Sequence, residues 1–117
     1  MVRSASSLVL VLALVCCASA CSNKNKTVGD FVVALREAGI DGEFNPKLAS
    51  FIGATEGGLF VSKDHTVRVE IYRFPDVALA DSQAKACPGR AKCFAKGYFE
   101  IMVHDGAQRV LPIWESF

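Results

Sequence analysis

Apolar positions change their spacing several times along this chain of 117 residues. Residues 8–15 form an unbroken apolar run, LVLVLALV, preceded by one charge, Arg3, and followed by the small residues Cys16, Cys17, Ala18, Ser19 and Ala20. A polar stretch at residues 22–26 (SNKNK) comes next. Val28, Phe31, Val32, Leu35 and Ala38 then recur at helical spacing. Thr27-Val28-Gly29-Asp30 has the Ser/Thr-x-x-acid form of a helix start, and Gly39 stops the helix so that Ile40 can pack back on Leu35. Asn45-Pro46 reads as a cap and first-turn proline for a short second helix through Leu48, Phe51 and Ile52. From Leu59 the period falls to two. Leu59-Phe60-Val61, a polar turn at residues 62–65 and the alternation that follows predict a half-buried hairpin. Val67, Val69 and Ile71 point inward, and Arg68, Glu70 and Tyr72 outward.

Pro75-Asp76 ends that strand and opens an alanine-rich helix over residues 77–86. A cysteine loop follows, then a third strand over residues 98–103 and a turn at Asp105-Gly106. In the tail, Val110, Ile113, Trp114 and Phe117 have helical spacing, but Pro112 opposes a continuous helix. A fourth strand and a short helix starting at Pro112 both fit. The order α-(α)-β-β-α-β-(β/α) predicts an α+β domain, with an antiparallel sheet and its helices on one face. The predicted organisation is an export signal at residues 1–20, an anchor and polar tether at 21–26, and one small domain at 27–117, long enough for a single core.

The start of the chain has the three-part layout of a secretory signal peptide. Its apolar run is far below the roughly 20 residues needed to span a bilayer. Ala18-Ser19-Ala20-Cys21 resembles the lipobox of bacterial lipoproteins; family members mostly carry Leu where this chain has Ala18. The resemblance covers these four residues. It implies that the Cys21 thiol receives diacylglycerol and that cleavage before Cys21 frees an amino group for acylation, as with palmitate. Ser22, where inner-membrane members carry Asp, implies the outer membrane facing the periplasm in a Gram-negative host, and otherwise the outer face of the cytoplasmic membrane. Cysteine parity agrees. Cleavage leaves Cys21, Cys87 and Cys93, and a lipid on Cys21 leaves two thiols to pair. Without the first 20 residues, 12 basic and 12 acidic side chains remain. That balance excludes a dedicated nucleic-acid binder, and the apolar content excludes a disordered chain.

Cys87-Pro88-Gly89-Arg90-Ala91-Lys92-Cys93 is the clearest local constellation. Its Pro-Gly turn can bring the thiols together as a structural disulfide. The two-residue spacing of redox centres is absent, and a metal site would need His65 and His104 from distant strands. Lys85, Arg90, Lys92 and Lys96 form a local basic stretch without an acid. It suits an anionic headgroup, a glycan or an acidic envelope partner, or else a solvated face. Asp64-His65 and His104-Asp105 are acid–imidazole neighbours with no accompanying nucleophile motif. GATEGG at residues 53–58 lacks the Lys-Ser/Thr of a phosphate loop and reads as a connection. Trp114 and Phe117 either fold onto the core or form a partner patch.

The resulting expectation is a membrane-anchored lipoprotein acting as a binding or interaction module, not an enzyme, with no cofactor and no metal. The alternatives are an exported metal-binding or hydrolytic protein using His65 and His104, and an envelope immunity or exclusion factor.

Overall fold

Thr27 opens the first helix, α1 (Val28–Glu37), through a reciprocal cap. Its hydroxyl accepts from the Asp30 amide at 3.2 Å, and the Asp30 carboxylate accepts from the Thr27 amide at 2.7 Å. Val28, Phe31, Val32 and Leu35 are buried, and Gly39, at φ +90°, ends the helix so that the Ile40 amide reaches the Leu35 carbonyl. The computed structural model describes residues 22–117. The export signal at 1–20 and the lipobox residues Ala18, Ser19, Ala20 and Cys21 lie outside the described residues.

Strand β1 (Gly42–Pro46) stands where the second helix was expected to begin. Asn45 and Pro46 pair with Leu59 and Gly58 instead of capping a helix. An edge strand tolerates proline, because one row of its backbone groups needs no partner. Only a 3-10 turn, Ser50–Ile52, follows, and Leu48 and Phe51 are exposed.

The hairpin forms as predicted from β2 (Glu56–Ser62) and β3 (Arg68–Arg73), but β2 starts earlier. Glu56, Gly57 and Gly58, expected in a loop, are in the strand. The Tyr72 ring crosses Gly57 and the Phe44 ring crosses Gly58, so a Cβ at either position would overlap an aromatic ring. Helix α2 (Val77–Lys85) is capped by Asp76, whose carboxylate accepts from the Leu79 amide at 2.8 Å. Strands β4 (Lys92–Lys96) and β5 (Phe99–Asp105) follow, then helix α3 (Ala107–Ser116). The tail is therefore one helix running through Pro112. Proline deletes one mid-helix hydrogen bond. The aromatic packing of the last turn offsets that loss. Phe31 lies edge-on to Trp114 and Phe117 at 5.7 and 5.1 Å, and Phe99 edge-on to Phe117 at 5.1 Å. Trp114 and Phe117 thus belong to the core.

The sheet is antiparallel throughout, in the order β1-β2-β3-β5-β4. The expected α+β class holds, with three α-helices among the described residues. The helices are divided between the faces. Helices α1 and α3 cover the face carrying Val69, Ile71, Phe99, Ile101 and Val103. Helix α2 covers the other, where Tyr72 and Phe74 pack with Ala80 in a second, smaller core. Tyr72, expected to point to solvent, is therefore buried.

The chain before α1 is also attached to the domain. Asn23 is buried and donates to the Lys96 carbonyl at 3.0 Å. Arg73 donates to the Lys24 and Lys26 carbonyls, and the Lys26 ammonium to the Phe117 carbonyl. Residues 22–26 read as a free tether because they have no apolar side chain, yet main-chain carbonyls hold them. Cys87 and Cys93 form the expected disulfide, with Cα atoms 5.6 Å apart, joining the end of α2 to β4. Closing so short a loop is worth roughly 2.5 kcal/mol by chain entropy.

Two glycine-to-alanine changes should have opposite signs. Gly57→Ala forces a Cβ into the Tyr72 ring and should cost about 1–3 kcal/mol. Gly29→Ala, in the first turn of α1 with room for a methyl, should gain about 0.5–1 kcal/mol. Urea midpoints of both variants check the pair, and a stable Gly57→Ala would contradict the packing described for Tyr72.

A candidate binding site on the outer sheet face

In an antiparallel pair, residues directly opposite share a face. The register of β3 on β5 sets Tyr72 opposite Glu100 and Glu70 opposite Met102. All four side chains lie on the face turned away from α1 and α3. They border a cavity of about 350 Å³, completed by Gln83 of α2, by Ala86 and Pro88 beyond it, and by Phe51 and Ile52 at the rim. The disulfide fixes the Pro88 loop against β4 and so holds one wall in place.

Two glutamates in this site have opposite electrostatic fates. Glu70 has both oxygens occupied: Oε1 accepts from the Tyr72 hydroxyl at 2.5 Å, and Oε2 meets His104 Nε2 at 2.6 Å. Burial pushes its pKa up, but these two hydrogen bonds and the positive fields of His104 and Lys47 outweigh that and hold it below the usual carboxylate range. Tyr72 is pushed up, by burial first and then by its bond to Glu70. Glu100 is 1% exposed, and its Oε2 has no hydrogen-bond partner among the described residues. Burial, reinforced by the negative charge of Glu70, raises its pKa to about 7. One carboxylate is thus an anion with a partner on each oxygen. The other is an unsatisfied acceptor that can exchange a proton near neutral pH.

Compared with known protein families, curated proteins and solved structures, this chain matches none. Its chemistry has to be read from its own side chains.

The residues singled out in the sequence are distributed differently. Lys85 pairs with Asp81 at 2.9 Å, a contact that raises its pKa. Lys96 donates to the Trp114 and Glu115 carbonyls and closes the C-terminal end of α3. Arg90 and Lys92 border a separate hollow with Arg109 at the start of α3. The four basic residues therefore do not form one surface. His65 occupies the hairpin turn at φ +60°. Its neighbour Asp64 accepts from Ser62 and Thr66 and meets Arg109 at 3.4 Å, which holds its carboxyl well below the usual range. His104 instead joins Glu70. Both acid–imidazole pairs lie at one end of the sheet, each with its own partners. Among the described residues, no group of three or more His, Cys, Asp or Glu side chains is arranged to hold a metal ion.

Glu100 lies inside the expected third strand and carries no motif that marks it as a site residue. A signal was present. In Phe99-Glu100-Ile101-Met102-Val103 the polar phase of the alternation contains Met102, so residues 99–103 are apolar on both faces except at Glu100.

Glu100 should make stability pH-dependent. Its folded pKa of about 7 lies above the ordinary 4.5, so the folded state holds the proton more tightly. That contribution is complete below about pH 4.5 and is lost as pH rises through about 7, a swing of at most about 3 kcal/mol. Glu100→Gln, which removes the titration, should be more stable than wild type at pH 8 by about 1–3 kcal/mol. The gap should close at pH 5. Urea unfolding at the two pH values checks this, and parallel curves would refute the buried-acid description.

Proposed function

We propose that this protein is a bacterial envelope lipoprotein, anchored through a lipidated Cys21, whose domain is a non-catalytic binding module working through the cavity beneath α2. The single observation that carries the binding reading is Glu100. A buried carboxylate oxygen without a partner is costly, and Glu100 is among the residues that line the cavity. Glu70 is hydrogen-bonded to both Tyr72 and His104, which suits a preorganised pocket wall.

The lipobox resemblance of Ala18-Ser19-Ala20-Cys21 supports the anchor. Two or more acyl chains give firm membrane attachment, where one is marginal. Asn23 is fixed to Lys96 only two residues after Cys21, a reach of about 7 Å for extended chain. On this reading the domain rides close to the bilayer surface, with the β4–β5 turn nearest the lipid. The exposed Lys24 beside it favours anionic headgroups. The location follows from Ser22: the outer membrane facing the periplasm in a Gram-negative host, and the outer face of the cytoplasmic membrane otherwise. No helix among the described residues is long and apolar enough to cross a membrane.

Metabolic palmitate labelling tests the anchor. Label is expected on the wild-type protein and not on Cys21→Ser, and the variant should move from the membrane to the soluble fraction. Wild-type protein without label would overturn the reading.

A further inference from the structure

Building on the cavity as a binding site, we infer that its ligand is a small organic cation: an ammonium group that pairs with the Glu100 carboxylate, carrying an apolar body that lies against Met102, Ile52 and Pro88. Three features of the site point to this chemistry.

The first is the unmet acceptor. Of the two carboxylates, Glu70 already has a partner on each oxygen, Tyr72 and His104, whereas Glu100 Oε2 has none among the described residues. A guest must therefore bring a donor. The second is the sign of the local field. Glu70 lies on the neighbouring strand, and its charge acts on Glu100 unfavourably. A neutral donor would satisfy the oxygen and leave the two carboxylates in conflict. A cation satisfies the oxygen and also offsets the repulsion, and a charge-assisted hydrogen bond is about twice as strong as a neutral one. An anion would meet two carboxylates and be rejected. The third is the lining. Met102, Ile52, Ala86 and Pro88 are apolar, and Phe51 stands exposed at the rim. A bare metal ion would leave these walls unused, whereas an organic body covers them. A cavity of about 350 Å³ limits the guest to one small molecule.

Protonation should couple to binding, because the ammonium prefers ionised Glu100. The groups around Glu100 are Tyr72 and Glu70 from β3 and His104 further along β5, with Lys47 acting on Glu70. Ala95 of β4 stands opposite Glu100 in the sheet, and the residues from α2 and its C-terminal end, Gln83, Ala86 and Pro88, carry no charge. Glu100 therefore changes charge near neutrality in the empty site, and ammonium binding releases its proton.

The protein carries its own reporter. It has two methionines, Met1 and Met102, and Met102 borders the cavity. Full-length protein labelled with carbon-13 at the methionine methyls is titrated with phenethylammonium, with neutral 2-phenylethanol and with phenylacetate. The Met102 signal is expected to shift saturably with phenethylammonium, and at least about tenfold more weakly with the other two. Affinity should rise between pH 6 and pH 8, with proton release on binding. Glu100→Gln should weaken phenethylammonium binding about tenfold or more and flatten the pH dependence. Ala86→Leu, which fills the cavity from the exposed end of α2 and leaves Glu100 in place, should abolish the shift. A response to 2-phenylethanol or phenylacetate equal to that of the amine would overturn the cation assignment while leaving the cavity a binding site. Silence towards all three probes would overturn both. Unchanged affinity in Glu100→Gln would overturn Glu100 as the acceptor.

Discussion

The pairing of β3 with β5 brings together segments on either side of α2 and β4. Its register sets Ile71 opposite Ile101 on one face and Tyr72 opposite Glu100 on the other. The first pair lies in the large core under α1 and α3. The second lies in the site under α2. A slip of β5 by one residue would turn its side chains over, burying Glu100 among phenylalanines and exposing Ile101 to the cavity. The apolar core therefore enforces the register that builds the polar site. The aromatic cluster of Phe31, Phe99, Trp114 and Phe117 reinforces it from the helix side, since Phe99 is the first residue of β5. Pro112 is accommodated within α3 on the same account: the packing of the last turn outweighs one missing backbone bond.

The outer face carries the opposite energetics. Its small core is built on Tyr72, Phe74 and three alanines, and it also encloses a carboxylate with an unmatched oxygen. Burial of an acid without a donor is destabilising once the acid ionises. The fold carries that cost while keeping two compensating devices beside it. Gly57 leaves room for the Tyr72 ring, whose hydroxyl reaches Glu70. The Cys87–Cys93 bridge secures the loop that walls the cavity. A polar group retained at a cost, on a rigid frame and next to open volume, is the arrangement expected of a recognition site.

The attachment of residues 23–26 links the site to the lipoprotein reading. Asn23, Lys24 and Lys26 are held by Lys96, Arg73 and Phe117, so the chain arrives at α1 along a fixed path. With a lipid at Cys21, the orientation of the cavity relative to the membrane would be set by these hydrogen bonds more than by a flexible linker.

Local signals in the sequence were enough for α1, the β2–β3 hairpin, α2 and the disulfide. Each depends on contacts within about a dozen residues: a capping box, period-two alternation, an Asp cap and a six-residue separation of thiols. The sequence also carries the lipobox resemblance, which is a local pattern by nature. Where the outcome rests on distant partners, local reading failed. Asn45-Pro46 has the chemistry of a helix start but joins an edge strand because β2 offers it a ladder. Glycines 57 and 58 look like a loop until the rings of Tyr72 and Phe44 are set across them. The basic residues Lys85, Arg90, Lys92 and Lys96 are neighbours in sequence but are separated in space by a helix end, a turn and the length of a strand. Glu100 is the sharpest case. The alternation of β5 predicts which way its side chain points, whereas only α2 lying over that face buries it, and only the register with β3 puts Glu70 beside it. Sequence alone determined the elements whose stabilising contacts are local. Tertiary structure decided the site, because desolvation and charge–charge coupling depend on what is packed around a residue, and for Glu100 those neighbours come from segments far away in the chain.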